Sequence, residues 1–189
     1  MLTQCHGSNF FDDRAYAAAH QHAHKWEAAY RAAFPTLLHT HIVTADGWAQ
    51  RGGVDRVLVL ASGRTLTVDE KVRKPHALNG RDIVLEATHK YFDSGRCVPG
   101  WINKDLACDF IAYTWEDRKD VYIWPFHNLR AAWETNKATW SKTYPWLKTN
   151  NRTFRTFSVA IPVDVLIKAI ADTMTIKISE TESNVRENF

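Results

Sequence analysis

The sequence lacks the marks of several large protein classes. Its three cysteines are scattered without a CxxC pair, which argues against a zinc knuckle or a redox dithiol. No apolar run approaches the roughly 20 residues of a membrane span, and the N-terminus lacks the basic-then-apolar order of a secretory signal. There is no P-loop, no GxGxxG segment and no nucleophile elbow, so ATP-driven, dinucleotide and serine-hydrolase chemistry are unsupported. We therefore expect a cytoplasmic protein with no membrane partner.

Neither sign of charge predominates, because the sequence has 24 Lys and Arg residues and 21 Asp and Glu residues. A net charge of +3 permits a polyanionic partner without demanding one. The distribution is more informative, since six basic residues surround three acidic ones between Arg51 and Lys74. This arrangement suits a site that holds a cation and faces phosphate, and a solvated mixed-charge hairpin is the alternative.

The length and hydrophobic pattern predict one domain over residues 1–178, followed by a disordered polar tail over 179–189. A helix is predicted over 13–33, with alanines inside it and Pro35 just beyond its end. Further helices are predicted over 128–140 and 162–171, and strands near 37–43, 54–60, 65–73, 82–87, 110–115, 121–126 and 154–161. Segments 74–81 and 89–100 are predicted loops. The expected fold is α/β, with a central mixed β-sheet that carries helices on both faces.

One predicted hairpin brings chemistry-bearing residues together. Strand periodicity over 65–73 places Asp69 and Lys71 on the same face, with Glu70 on the other. A turn at Ser62-Gly63 would return Asp69 to a level near Asp55 on the preceding strand. Hydrolysis of a phosphodiester requires a hard cation held by oxygen ligands, an activated water and positive charge beside the phosphate. The two carboxylates can supply the ligands, and Lys71 can position or deprotonate water or stabilise negative charge.

The segments Gly53-Val54-Asp55 and Val68-Asp69-Glu70-Lys71 resemble the D...(D/E)xK signature of the PD-(D/E)xK nuclease superfamily. Val54 replaces the family proline, whose side chain has no chemical part. The resemblance implies a restriction-endonuclease-like core over roughly residues 13–126. It also implies cleavage of DNA with Mg²⁺ or Mn²⁺ at Asp55, Asp69 and Lys71.

The same resemblance suggests further site residues. Members often add an acidic residue from the first helix, and Glu27 fits by position as a third metal ligand, with a surface charge beside Arg31 as the alternative. Segments 82–86, 100–102 and 109–113 resemble small phage and bacterial members, and within that likeness Glu86 would be an outer-shell carboxylate. The basic rim expected to contact nucleic acid consists of Arg51, Arg56, Arg73 and Lys74.

Two other patterns in the sequence admit both a functional and a plainer explanation. His20 and His24 lie four apart on the predicted first helix, a spacing that can hold zinc, but histidines on a solvated or phosphate-facing helix are the favoured explanation. Near Trp140 and Trp146, four basic residues form an auxiliary nucleic-acid surface or a solvated basic loop. These residues are Lys142, Lys148, Arg152 and Arg155.

Three functions remain open from the sequence. The first is a metal-dependent DNA nuclease, for which a homodimer would supply the two sites that cutting both strands needs. The second is an inactive relative of the same fold that binds nucleic acid without cutting it. The third is a phage-encoded protein-interaction module with exposed tryptophans as anchors.

Overall fold

A computed structural model describes residues 22–43, 47–74 and 81–175. Its helices are α1 (Ala23–Ala33), α2 (Gly47–Gly52), α3 (Phe126–Thr143) and α4 (Val163–Thr173), with a 3₁₀ turn at Trp101–Asn103. Its strands are β1 (Leu37–Ile42), β2 (Arg56–Leu60), β3 (Thr65–Arg73), β4 (Asp82–Tyr91), β5 (Cys97–Pro99), β6 (Phe110–Trp115), β7 (Val121–Pro125), β8 (Trp146–Asn150) and β9 (Phe154–Pro162). The predicted tail 179–189 and residues 13–21 of the predicted first helix lie outside the described residues. The assignment of one domain to 1–178 stays a prediction.

The strands form two sheets. The first has the order β1-β2-β3-β6-β7 and is mixed, because β3 and β6 run parallel while its other pairs are antiparallel. The second has the order β5-β4-β9-β8 and is antiparallel throughout. The predicted α/β class with a mixed sheet is confirmed. The strand predicted near 82–87 would be expected beside the preceding strands of the central sheet, but it lies in the second sheet as β4. Alternation shows which side of a strand is buried but not which strand lies beside it.

The first sheet is covered differently on its two faces. Helix α1 packs Trp26 and Tyr30 against Leu58 and Val68 on one face. On the other face, β4 and β9 of the second sheet and helices α3 and α4 share the larger core, whose members include Ile83, Leu85, Ile111, Val159 and Leu166. The expectation of helices on both faces is therefore only partly correct. The alternating apolar residues of β4 and β9 need a buried face too, and they find it in this layer.

Three short elements escaped prediction. The segment predicted as a loop over 89–100 contains the end of β4 and all of β5, which pair as a hairpin. The basic segment near Trp146 forms β8, and residues 47–52 form the short helix α2. Strands β5 and β8 are the two edges of the second sheet, where solvent faces one side and the hydrophobic alternation that identifies a central strand is weak.

The predicted hairpin between β2 and β3 is confirmed. Gly63 has a φ of +79° at its turn, a conformation that residues with a side chain rarely adopt. The register pairs Arg56 with Val68 and Leu58 with Leu66. Asp55, which directly precedes β2, consequently lies level with Asp69.

Candidate active site

Asp55 is held against the strand that carries Asp69 and Lys71. Its backbone N–H donates to the Val68 carbonyl at 2.9 Å. Its carboxylate oxygen Oδ2 accepts a hydrogen bond from the backbone N–H of Glu70 at 2.8 Å. Asp55, Asp69 and Lys71 thus form one group on the β2–β3 hairpin, which we call the front cluster.

Asp69 is almost completely buried, with 2% of its surface exposed. Its Oδ1 atom accepts a hydrogen bond from Lys71 Nζ at 2.6 Å. Its Oδ2 atom is one of two buried side-chain nitrogen or oxygen atoms that have no hydrogen-bond partner in the part of the chain described here. An unsatisfied buried polar atom costs about 1–3 kcal/mol, a cost that a proton shared with Asp55 or a bound ligand would remove.

The ionised form of Asp69 is also unfavourable in this position. Burial raises the pKa of Asp69 from 3.8 to about 7, Lys71 opposes the rise, and the neighbouring Asp55 carboxylate adds to it. Two carboxylates that repel each other in a buried place are the electrostatic condition under which a bound cation is most favourable.

Lys71 remains a cation in this environment. Burial lowers its pKa, but the charges of Asp69 and Asp55, helped by Glu86, outweigh burial and raise the Lys71 pKa above its usual range. Its side chain keeps 29% of its surface exposed. Its Nζ lies 5.8 Å from the centre of the Trp101 ring, a distance at which an ammonium is attracted to an aromatic face.

The loop that carries Trp101 is fixed against β4. A side chain at Gly100 would place its Cβ 2.1 Å from the Glu86 carbonyl oxygen, so the close approach requires glycine. Asn103 accepts a hydrogen bond from Trp133 Nε1 at 2.8 Å, which anchors the following turn. The sequence did not identify Trp101 as a site residue, although segment 100–102 that contains it belongs to the resemblance described above.

Cys108 is a second residue that sequence reasoning did not connect with the site. It is buried, and its pKa is raised to about 12 by burial first and by the nearby Asp69 charge next. A thiol with so high a pKa stays protonated at neutral pH and is a poor nucleophile. We therefore assign it to the wall of the site.

A second polar group occupies the opposite face of the same hairpin. Glu70 Oε1 accepts hydrogen bonds from Arg56 Nε and from the Tyr30 hydroxyl, the latter at 2.9 Å. Arg56 is itself only 3% exposed. We call Tyr30, Arg56 and Glu70 the back cluster. It faces α1, as the predicted alternation along β3 requires for Glu70.

The back cluster explains two corrections. Glu27 accepts a hydrogen bond from Thr40 at 2.8 Å and pairs with Arg31 at 2.6 Å. Because α1 packs on the face opposite to Asp69, the structure does not bring Glu27 to the front cluster, and we drop it as a metal ligand. Arg56 is buried beside Glu70 and is removed from the expected nucleic-acid rim for the same reason.

The other residues predicted for the site differ in their exposure and in whether their charge is already paired. Arg73 is largely buried and pairs with Asp82 at 2.7 Å, so its charge is already matched. Arg51 and Lys74 are exposed and remain available to phosphate. Glu86 keeps 39% of its side-chain surface exposed, lies 3.7 Å from His89, and acts on the Lys71 pKa, which places it at the border of the site.

The donor set fits some metals and not others. Within 22–43, 47–74 and 81–175, no three His, Cys, Asp or Glu residues are grouped closely enough to hold a metal by themselves. Two carboxylates with one unsatisfied buried oxygen suit Mg²⁺, which commonly binds through one or two carboxylates and keeps several waters. They suit zinc less well, because protein zinc sites have three or four protein ligands, mostly His nitrogen and Cys sulfur. Of the histidines weighed for zinc, His20 lies outside the described residues.

Comparisons of the chain with protein-family models, with curated proteins and with solved structures found no match. None of the helices within the described ranges is long and apolar enough to cross a membrane.

Proposed function

We propose that this protein is a metal-dependent nuclease of the PD-(D/E)xK type that hydrolyses DNA phosphodiester bonds. The observation that carries the proposal is the front cluster, in which a buried carboxylate with an unsatisfied oxygen lies beside a second carboxylate and an ammonium. The proposal includes a restriction-endonuclease-like core, a cytoplasmic setting and a homodimer for cutting both strands.

Asp55 and Asp69 would hold Mg²⁺ or Mn²⁺ through the oxygens that the hairpin leaves available. When bound, such an ion neutralises phosphate charge and lowers the pKa of a coordinated water. Burial of Asp69 excludes solvent from one side of the site, so electrostatic interactions there are stronger than at an open surface.

Lys71 would act as a cation, because its Nζ donates to the Asp69 carboxylate at 2.6 Å. An ammonium in this position would stabilise the negative charge that develops on the phosphate. Asp69 and Trp101 orient that ammonium from two sides. Arg51 and Lys74 remain as exposed cations that can bind the flanking backbone.

The test is cleavage of linear, nicked, branched and single-stranded DNA with Mg²⁺ or Mn²⁺. The variants are Asp69→Asn and Lys71→Ala, and Glu27→Gln is the matched control because it makes the same carboxylate-to-amide change on the opposite face. We expect Lys71→Ala to slow cleavage by about 10²–10³-fold, the usual cost of removing one group that stabilises transition-state charge. Asp69→Asn should also lose Mn²⁺ binding in calorimetry, and Glu27→Gln should retain both properties.

Cleavage without a metal, or equal rates for Asp69→Asn and wild type, would contradict the proposed site. A loss of activity in Glu27→Gln comparable to that of Asp69→Asn would contradict the separation of the two faces.

An inactive relative that binds nucleic acid is the second candidate. It is favoured by the finding that only two carboxylates meet in the front cluster, without a third ligand from the described residues. Binding of DNA with no cleavage under any metal, together with no calorimetric signal for Mn²⁺, would select this alternative.

A further inference from the structure

One face of the second sheet combines exposed aromatic rings with cations. Strand pairing sets Lys148 of β8 against Phe157 of β9, and Arg155 of β9 against Lys90 of β4. Paired residues of antiparallel strands point to the same side, so these side chains share one face. We call this surface the platform; it consists of Lys90, Phe92, Trp146, Lys148, Arg155 and Phe157.

The aromatic residues of the platform are open and held in place. Trp146 is 44% exposed, and its Nε1 donates to the Ser141 carbonyl at 2.9 Å, which fixes the indole. Phe92 is 52% exposed, and the guanidinium carbon of Arg155 lies 5.9 Å from its ring centre. Trp146 and Phe157 border a shallow depression of about 500 Å³. Large apolar rings kept at the surface in this way indicate a binding surface.

The charges of the platform indicate which kind of ligand would match it. Lys90, Lys148 and Arg155 are cationic, and no member of the platform is acidic. A ligand that matches it must offer flat rings to the aromatic residues and negative charges to the cations. Single-stranded nucleic acid has both, because its unpaired bases expose their faces and its backbone carries regular phosphates. In a duplex the base faces are covered by stacking.

We infer that the platform binds single-stranded nucleic acid, with bases stacked on Trp146 and Phe92 and phosphates on the three cations. The inference deepens the proposed function by naming a substrate class, and it rests on that function only for its link to cleavage. The platform lies on the opposite face of the second sheet from Glu86, because Glu86 pairs with Ser158 whereas Lys90 pairs with Arg155, three residues away on β9.

The test measures binding of fluorescein-labelled oligo(dT) to the full-length protein by anisotropy, with EDTA present so that nothing is cut. We expect Trp146→Ala to weaken binding about tenfold, in line with the loss of one stacked base, and Trp146→Phe to stay close to wild type. Lys148→Ala should reduce the slope of log affinity against log salt concentration by about 0.7. Lys168→Ala removes an exposed cation on α4 and is the matched control, which should bind as wild type does.

An oligonucleotide with abasic sites throughout keeps the phosphates and removes the bases. It should bind weakly and equally to wild type and Trp146→Ala. If it binds wild type as tightly as oligo(dT) does, or if polyglutamate binds with the same dependence on Trp146, the inference is overturned, the latter in favour of an acidic protein partner.

Asp69→Asn separates this inference from the proposed function, since it should bind oligo(dT) normally and cut nothing. Cleavage that persists in a Trp146→Ala protein with unchanged oligo(dT) affinity would remove the platform and leave the nuclease proposal standing.

Discussion

The two faces of the β2–β3 hairpin each bury a carboxylate, Glu70 on the back and Asp69 on the front, but they differ in how fully its oxygens are hydrogen-bonded. In the back cluster, Glu70 receives hydrogen bonds from Arg56 and Tyr30, and each buried polar side-chain atom has a partner. In the front cluster, Lys71 matches only one oxygen of Asp69, and the other is left without a partner among the described residues. The matched face stabilises the hairpin, whereas the unmatched face leaves a buried carboxylate oxygen that we propose binds a metal ion.

The two clusters are joined through one residue. The backbone N–H of Glu70 holds the Asp55 carboxylate on the front, while the Glu70 side chain is held on the back. A buried ion pair with full hydrogen bonding fixes a local geometry even where its net contribution to stability is small. The comparison predicts that the back cluster determines stability and position and the front cluster determines activity.

Glu70→Ala should show the largest effect on stability. It leaves the Arg56 guanidinium buried without its counter-charge, and breaking a buried pair in this way costs about 3–5 kcal/mol in the free energy of unfolding. Urea unfolding followed by tryptophan fluorescence measures the change. The double variant Glu70→Met with Arg56→Met should recover most of the loss, because it removes both charges together. A single-variant cost below about 1 kcal/mol would show that the two faces do not differ.

Asp69→Asn should change the free energy of unfolding by less than Glu70→Ala does. It should stabilise the protein rather than destabilise it, by an amount that depends on pH. The folded-state pKa of Asp69 is raised from 3.8 to about 7, so its contribution to stability is complete below about pH 4 and is lost as the pH rises through 7. At pH 8 the wild type carries the cost of a buried charge that the amide avoids. We therefore expect the variant to be more stable by about 1–3 kcal/mol at pH 8.

Thermal unfolding across pH 4–8 measures that difference, which should fall towards zero at pH 4, where wild-type Asp69 is protonated. A variant less stable than wild type at pH 8 would mean that the Lys71 pair outweighs burial and that the front cluster is as well matched as the back.

Substitution of the exposed cysteine should have the smallest effect on stability. The reactivity of the thiols shows whether solvent reaches the front cluster. In a Cys5→Ser background, exposed Cys97 should react quickly with Ellman's reagent, while buried Cys108 beside Asp69 should react only on unfolding. Cys97→Ser should change stability by less than about 0.5 kcal/mol, as surface substitutions usually do. Rapid reaction of two thiols in the folded protein would show that solvent enters the front cluster freely.

Much of the hairpin could be predicted from the sequence, because its information is local. Strand alternation separated Asp69 from Glu70, and the turn at Gly63 set the register that brings Asp55 level with Asp69. The position of Glu27 could not be obtained in this way. A carboxylate on a helix faces whatever the helix packs against, and the choice between the two faces of a sheet is made by contacts distant in sequence.

The division of the strands between two sheets could not be predicted from local sequence patterns either. Strand β4 has the alternation of any half-buried strand, and only its pairing with β9, far along the chain, assigns it to the second sheet. The same holds for Trp101, which reaches Lys71 because Gly100 lets its loop lie against Glu86. The sequence shows the cations and the tryptophan of the platform, but only the pairing of β4, β9 and β8 shows that they share one face.

The parallel pairing of β3 with β6 has a consequence for the order of folding. Asp55 and Glu70, bonded across the hairpin, are 15 residues apart, whereas Thr67 and Asp109, bonded where β3 meets β6, are 42 residues apart. Short loops close with less loss of chain entropy, so the hairpin should form early and wait for β6 and the tryptophan loop. During that interval Asp69 is still hydrated and ionised, and it loses its water only when the later strand and loop pack against the hairpin.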